Sequence, residues 1–165
     1  MSHQIISDPM RVWRFVHAST GVPASSTMKG LGLEKAGELV SGVLYENWNG
    51  VNVFMHVALA PGARWTRRYL WYSFYYPFVE LGVKRISGWV EASNLEARRL
   101  DERLGFRAEA TLAGAAHDGG DVILYVMRRE ECRHLLRAPS MAGSRPPQVE
   151  GLVHHGQEEQ RRTGT

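Results

Sequence analysis

The chain has 165 residues, of which 44% are hydrophobic and 22% are charged. This length suffices for one hydrophobic core but not for two ordinary domains, so we expect one domain with tails. The formal net charge of +3 comes from scattered arginines without a recognisable motif, which gives little support to a nucleic-acid-binding protein. The single cysteine, Cys132, excludes an internal disulfide and supplies too few ligands for a structural zinc site, so no metal is expected.

The two ends of the chain and its most apolar stretch bear on location. The N-terminal residues lead into no unbroken apolar run, so a signal peptide is not expected and the protein is predicted to be cytoplasmic. Residues 69–83 are aromatic but contain Pro77 and Glu80 and fall short of the roughly 20 apolar residues that span a bilayer. Residues 138–165 are rich in Pro, Gly, Ser, His and charge, which predicts a disordered tail.

The N-terminal segment predicts a short helix. Asp8 and Pro9 are typical of a helix start, because Asp caps the first amides and Pro has no amide hydrogen to lose in the first turn. We therefore expect a helix over residues 10–17 and a loop after it. Residues 1–30 would then pack as a unit on the edge of the core.

A hairpin is predicted next. Asn49-Gly50 separates two strand-like segments, residues 38–48 and 51–59, and is typical of a two-residue hairpin turn. In the second segment apolar residues alternate with Asn52, Phe54 and His56, so one face of the strand is expected to be apolar and the other more polar.

The middle of the chain predicts a helix that is followed by a parallel strand. Apolar residues recur at helical spacing through residues 70–81, with a kink expected at Pro77 and a stop at Gly82. Residues 83–90 are apolar and strand-like. A strand, helix and strand in this order within one sheet predict a parallel pair with a right-handed crossover.

A second helix and two closing strands complete the predicted domain. Residues 93–96 form a capping-box pattern, an apolar stripe follows, and Gly105 is a suitable end of the helix. Residues 106–115 and 122–128 then predict two strands around a turn at residues 117–120. The sum is an α/β (α+β) fold with a mixed sheet flanked by helices.

Two segments in this region resemble a known family. The Asn-led helix that ends in Leu-Gly-Phe, in residues 94–109, and the last strand, in residues 121–131, resemble the C-terminal half of the GNAT acetyltransferases. The last strand resembles the branch that acetylates ribosomal-protein N-termini and small amines. Its ending in Glu131-Cys132-Arg133 resembles GNAT-like proteins found in phage genomes, which would make the protein virion-associated or cytoplasmic.

The resemblance implies a fold and a cofactor. It covers roughly residues 31–136, within a predicted GNAT-like domain of residues 31–137, and implies a mixed, mostly antiparallel sheet that splays between its fourth and fifth strands. The pantetheine arm of acetyl-CoA would lie in that gap, between residues 51–59 and 84–90. Acetyl transfer to a primary amine, either a peptide N-terminus, a lysine or a small amine, is the activity that the resemblance implies.

The expected cofactor site departs from the family pattern. GNAT enzymes usually have Arg-x-x-Gly-x-Gly or Gly-x-Ala after the fourth strand, where backbone amides surround the pyrophosphate. Here one glycine remains, Trp65 occupies part of the loop, and arginines are available for the phosphates instead; a solvated basic helix start is the other interpretation. The candidate cofactor-binding residues are Leu59, Gly62, Arg64, Thr66, Arg67, Arg68, Asn94 and Arg98.

The candidate catalytic residues are His56, Glu91 and Tyr125. Histidine is the usual general base near neutral pH, although His56 is equally consistent with an ordinary core or surface residue; Glu46 is a lower-ranked alternative. Many GNAT enzymes place a Tyr just before the Leu-Gly-Phe to protonate the thiolate. Asp101 stands in that neighbourhood here, so the usual acid is missing.

A second interpretation is a GNAT-shaped binding or structural protein without turnover, such as a component of a phage or other assembly. The altered phosphate loop and the aromatic residues that look exposed favour it; these are Trp65, Trp71, Tyr72 and Tyr75. More aromatic residues than one core needs also predict a subunit interface through residues 69–76.

Overall fold

The computed structural model describes residues 2–140; most of the predicted tail, residues 138–165, lies outside the described residues. The strands are β1 (His3–Ile6), β2 (Lys29–Lys35), β3 (Glu38–Glu46), β4 (Asn52–Leu59), β5 (Arg85–Glu91), β6 (Arg107–Leu112) and β7 (Val122–Arg128). The α-helices are α1 (Pro9–Thr20), α2 (Arg67–Tyr75) and α3 (Leu95–Leu104). Within these residues no helix combines the length and apolarity that crossing a membrane requires.

All seven strands form one sheet in the order β1-β2-β3-β4-β5-β7-β6. Every neighbouring pair is antiparallel except β4 and β5, which are parallel. α2 connects these two strands because a parallel pair needs a crossover. The predicted mixed, mostly antiparallel sheet and its parallel pair are confirmed.

α1 is longer than predicted and lies very close to the sheet. Asp8 caps it, accepting a hydrogen bond from the Arg11 amide at 3.0 Å. Beneath it β2 and β3 present glycines, and a Cβ added at Gly42 would lie 2.8 Å from Cγ2 of Val16. The missing side chains therefore let the helix backbone approach the sheet.

β1 was not predicted from the sequence. It pairs with β2 along residues His3 to Ile6 and forms one edge of the sheet. β1 belongs to the main sheet, and α1 covers one of its faces. The two core halves lie on opposite faces of the sheet.

The opposite face of the sheet is covered by α2 and α3. Tyr45 of β3 donates a hydrogen bond to the Ser73 carbonyl at 2.7 Å, and Tyr69 of α2 donates to the Leu31 carbonyl at 2.8 Å. Trp71 and Tyr72 are buried inside the subunit as well. The prediction of surplus exposed aromatic residues on this helix is therefore wrong, and so is the support it gave to an interface there.

Three local predictions need correction. The β3–β4 connection spans residues 47–51 rather than two residues, because the Asn49 side chain accepts hydrogen bonds from the amides of Val51 and Asn52. The helix kink expected at Pro77 is a π-helical turn, Tyr76–Glu80. α3 is capped by Asn94 rather than by Ser93.

The close approach of α1 to the sheet gives a stability prediction. We expect Gly42→Ala to lower the free energy of unfolding by about 1–3 kcal/mol, because Val16 is buried and, being β-branched, cannot rotate away. In a Val16→Ala background, which removes the contacting methyl, the cost of Gly42→Ala should be smaller by at least about 0.5 kcal/mol. Urea unfolding of the four proteins measures this coupling; strict additivity would contradict the proposed contact.

Candidate active site

The candidate site lies where the two parallel strands end. Since β4 and β5 run in the same direction, their C-terminal ends lie at the same edge of the sheet. α2 begins soon after β4, at Arg67, and α3 begins soon after β5, at Leu95. Ligands of such sheets typically bind at this edge, beside the N-termini of the following helices.

The two strands separate before they reach that edge. β4 and β5 pair only at Asn52, Val53 and Phe54, opposite residues 85–87. Next to this last pair, the Ser87 hydroxyl donates a hydrogen bond to the Asn52 side chain at 2.7 Å. Beyond it the ladder stops, so the remaining half of β4 has backbone groups directed toward a gap and available to an extended ligand.

The narrow end of the gap is formed by Gly88. A Cβ added there would lie 3.5 Å from the Met55 carbonyl oxygen and 3.9 Å from Oδ2 of Asp101. The Met55 carbonyl therefore points toward β5, and because backbone direction alternates along a strand, the Val57 backbone points the same way. We call this opening, from Met55 and Gly88 to the ends of β4 and β5, the β4–β5 gap.

A histidine–glutamate pair lies on the face of the sheet that carries α1. His56 Nε2 is 2.7 Å from Oε1 of Glu46, and their side chains are 17% and 15% exposed. From the sequence, His56 and Glu46 are alternative candidates for the general base, whereas in the structure they form one hydrogen-bonded pair. If His56 donates from Nε2 to the carboxylate, its Nδ1 is the free, proton-accepting nitrogen.

Two aromatic side chains extend the same face across the gap. Phe54 of β4 and Trp89 of β5 meet edge to face with ring centroids 5.6 Å apart. Trp89 is 58% exposed, which is unusual for so large an apolar side chain. On the same face of the sheet as His56, the exposed ring of Trp89 offers a surface for an organic cation or an apolar group.

Glu91 ends β5 on this face and is already paired. Its Oε1 is 2.7 Å from Nδ1 of His117 and accepts a hydrogen bond from the His117 amide at 3.1 Å. These bonds from His117 lower the pKa of the Glu91 carboxyl. A carboxylate with a lowered pKa is a weaker base, so Glu91 is suited to attract a cation rather than to remove a proton.

Tyr125 lies on the opposite face, under α3. It is buried, its hydroxyl donates to Oε1 of Glu102 at 2.9 Å, and Arg98 Nε donates to that hydroxyl at 3.4 Å. Burial raises the pKa of Tyr125. Because both neighbours belong to α3, these bonds dock the helix on β7.

Asp101 is a titratable group near the gap that is not among the catalytic residues predicted from the sequence. Its carboxyl is largely buried between α3 and the narrow end of the gap, beside Gly88. Burial raises the pKa of Asp101 to about 7, and the neighbouring charge of Glu102 adds to the shift. Helical spacing was the available signal, since Ala97, Asp101 and Leu104 recur at i, i+4 and i+7 along one stripe.

The loop before α2 carries the arginine candidates. Thr66 caps the helix by accepting a hydrogen bond from the Tyr69 amide at 3.1 Å. Trp65 turns away from the loop, and its indole nitrogen donates to the Ser41 hydroxyl at 2.7 Å. Arg64 and Arg67 are exposed at the positive end of the helix, where an anion rather than a cation is favoured.

The remaining candidates in the loop and on α3 have structural roles as well. Gly62 has a φ of 73°, which requires glycine for the turn after β4. Arg68 lies over the Tyr72 ring at 5.8 Å. Asn94 accepts a hydrogen bond from the Ala97 amide through its side-chain oxygen at 3.1 Å, so it caps α3 at the end that lies near the ligand edge of the sheet.

Arg98 is held back from that edge. Its Nη1 donates to the Ala92 carbonyl at 3.1 Å, in addition to its bond with Tyr125. The expectation that it reaches the cofactor phosphates would require both bonds to change. Leu59, the last residue of β4, is half-buried at the start of the arginine loop.

The structure is similar to solved acetyltransferases. Mutant forms of the spermidine/spermine N-acetyltransferase SpeG from Vibrio cholerae superpose with a TM-score of 0.65 at 17% identity, over 84% of this chain and 100% of theirs. The dodecameric spermidine N-acetyltransferase from the same organism superposes with a TM-score of 0.62 at 17% identity, over 78% and 94% of the two chains. This chain has the GNAT fold.

At these identities the likeness establishes the fold, and the predicted GNAT architecture is confirmed. No protein-family model and no curated protein matches the sequence. The activity must therefore be argued from the groups around the gap.

The buried carboxyl gives a stability prediction. The pKa of Asp101 is raised from 3.8 to about 7, so the folded state holds a proton that the unfolded chain releases between about pH 4 and 7, and stability falls as pH rises through that window. This change in the pKa of Asp101 corresponds to at most roughly 4 kcal/mol of stability. We expect Asp101→Asn to raise the melting temperature at pH 8 and to have little effect at pH 4. An equal effect at both pH values would contradict a raised pKa.

Proposed function

We propose that the protein is an N-acetyltransferase that transfers acetyl from acetyl-CoA to a primary amine. The observation that carries this proposal is the β4–β5 gap, where the sheet leaves one side of β4 unpaired between a histidine–glutamate pair and a buried carboxyl. An extended arm with amide groups suits such an edge, because it can pair with the free strand backbone.

The open end of the β4–β5 gap suits the phosphates of acetyl-CoA, and the narrow end suits its acetyl group. At the open end, Arg64, Arg67 and the amides of the first turn of α2 offer donors to phosphate groups. From Met55 to Leu59 the free part of β4 extends about 13 Å at ~3.3 Å per residue. An arm whose phosphates lie at the arginines therefore carries its acetyl group to the vicinity of Gly88.

His56 is the proposed general base. An amine that attacks the thioester carbonyl must be neutral, and a cationic amine must first lose a proton. His56 lies on β4 near the narrow end of the gap, with Glu46 fixing its orientation and stabilising the imidazolium that forms. Bound acetyl-CoA supplies the activated acetyl group, while these residues orient the amine and accept its proton.

The proposed acceptor is a small cationic amine. The structural neighbours are named as spermidine N-acetyltransferases, and spermidine is a polycation. On the α1 face of the gap, the ring of Trp89 and the carboxylates of Glu46 and Glu91 present groups that attract ammonium ions. A peptide N-terminus or lysine remains within the proposed class and is compared with spermidine in the assay below.

Oligomerisation is a separate proposal. One structural neighbour is dodecameric, and we propose that this chain also associates, through a surface other than the buried aromatic residues of α2. Sedimentation velocity across a hundredfold range of concentration tests this, because an associating protein changes its average mass with concentration. A constant monomer mass would rule it out.

The cofactor site is tested by binding. We expect wild-type protein to bind acetyl-CoA in titration calorimetry, and Arg64→Ala with Arg67→Ala to weaken that binding at least tenfold through the loss of charge-assisted contacts. The matched control is Arg14→Ala with Arg137→Ala, which removes the same charge from exposed positions and should change the dissociation constant less than threefold. Equal weakening in both pairs would indicate a general charge effect and contradict the site.

The catalytic proposal is tested by turnover. We expect acetylation of spermidine, or of another amine in a screen of small amines and peptides, and about a hundredfold lower kcat in His56→Gln at pH 7. Acetyl-CoA affinity should stay within about twofold, because His56 acts on the acceptor. His3→Gln, an exposed histidine on β1, is the control. Unchanged kcat in His56→Gln would exclude it as the base.

A further inference from the structure

Asp101 is the one largely buried carboxyl beside the gap that the proposed function leaves without a role. It belongs to α3, and a Cβ at Gly88 would come within 3.9 Å of its Oδ2. Within residues 2–140 its carboxyl makes no hydrogen bond or ion pair that would compensate for burial. A buried carboxyl without a partner is costly to ionise. Asp101 therefore lowers the stability of the folded state when it is ionised.

The groups that face Asp101 come from four elements. On α3 itself Glu102 and Arg98 are the charged neighbours, but both bond to the Tyr125 hydroxyl of β7 rather than to Asp101. β5 presents Gly88, which has no side chain, and β4 presents the Met55 carbonyl. Among the described residues no cation bonds to the Asp101 carboxyl. The missing side chain of Gly88 leaves room for an additional atom between the Met55 carbonyl and Oδ2 of Asp101.

The direction in which the pantetheine arm of acetyl-CoA lies in the β4–β5 gap determines which of its groups reaches Asp101. If the phosphates lie at the arginines at the open end, the thioester lies at the narrow end, where the strands meet at Phe54 and Ser87. His56 projects from β4 to the α1 face, whereas Asp101 projects from α3 to the opposite face. The two groups therefore approach the thioester from opposite sides of the sheet.

We propose that Asp101 is the general acid of the reaction and that its carboxylic acid protonates the sulfur that leaves the acetyl group. The amine nitrogen forms a bond to the carbonyl carbon, the carbon–sulfur bond breaks, and its electron pair goes to sulfur. The attacking amine is neutral. The proton moves from Asp101 to that sulfur, and the proton that the nitrogen loses goes to His56. His56 then passes this proton to solvent and Asp101 takes one from solvent, so both residues return to their starting states. This inference rests on the proposed function.

The protonation state of Asp101 suits the role. Its pKa of about 7 keeps a large fraction of the carboxyl protonated near neutral pH, and a pKa close to the working pH is the most effective for a general acid. The acid is lost as pH rises, so kcat should fall above pH 7. The amine must be neutral to attack, so kcat should also fall at low pH.

The first test is kinetic. We expect Asp101→Asn to lower kcat about a hundredfold at pH 6.5, with acetyl-CoA affinity within about threefold of wild type, and to abolish the fall of kcat above pH 7. Asp101→Glu, which keeps an acid on a longer side chain, should recover at least a tenth of the activity. Glu96→Gln makes the same carboxyl-to-amide change at an exposed position on α3 and should behave as wild type. A kcat in Asp101→Asn within threefold of wild type would overturn the inference.

The second test needs no turnover. Carbon-13 NMR of aspartate-labelled protein follows the Asp101 carboxyl, identified by its absence in Asp101→Asn, through a pH titration. We expect its midpoint to move by more than half a pH unit when coenzyme A binds, and to move less with desulfo-coenzyme A, which lacks the thiol. Equal midpoints with the two ligands would overturn a contact between Asp101 and the sulfur.

The two tests separate the inference from the function on which it rests. If wild-type protein binds no acetyl-CoA, both the proposed function and the role of Asp101 are overturned. If the protein binds acetyl-CoA and acetylates an amine but Asp101→Asn retains full activity, only the role of Asp101 is overturned.

Discussion

The candidate site depends on the early end of the hydrogen-bond ladder between β4 and β5. A parallel pair inside a sheet would ordinarily continue for the length of both strands, because unpaired backbone groups are costly when they are buried. Here the pairing ends at Phe54 and Ser87. The free edge of β4 then requires either water or a ligand, and the groups assigned a role in the proposed reaction lie around it.

Glycine makes this arrangement possible at two places. Under α1, glycines such as Gly42 let a helix pack almost directly on the sheet backbone, which fixes the face that carries His56 and Glu46. At the narrow end of the gap, Gly88 leaves space between the Met55 carbonyl and Asp101. The missing side chain at Gly42 lets α1 and the sheet come together, whereas the missing side chain at Gly88 leaves a space between β4 and α3.

The sequence predicted the elements that local chemistry determines. Asp8 and Pro9 define the start of α1, and the order of strand, helix and strand implies the parallel pair. β1 was missed because four residues carry too short a pattern, and its strand state depends on pairing with distant β2. The surplus of aromatic residues was misjudged because helical periodicity does not reveal that both the sheet and the C-terminal segment cover α2.

The candidate site was less predictable than the fold, for a different reason. His56 and Glu46 each looked like an isolated polar residue, since the pairing register that brings Nε2 within 2.7 Å of the carboxylate is a tertiary property. Asp101 lies on a stripe of apolar residues, a position that does not favour a carboxyl. Such a conflict between local pattern and burial is expected at functional positions.

The division of the site between two faces has a chemical consequence. A base and an acid that touch each other would exchange their proton and form an ion pair, and neither would then be in the state that the reaction requires. In this fold β4 separates His56 on the α1 face from Asp101 under α3. The histidine has a carboxylate partner, whereas the aspartate is largely buried and lies near the negative charge of Glu102. The proposed substrate, held in the β4–β5 gap, is the only group that would contact both, so the two proton transfers are coupled through the reaction itself.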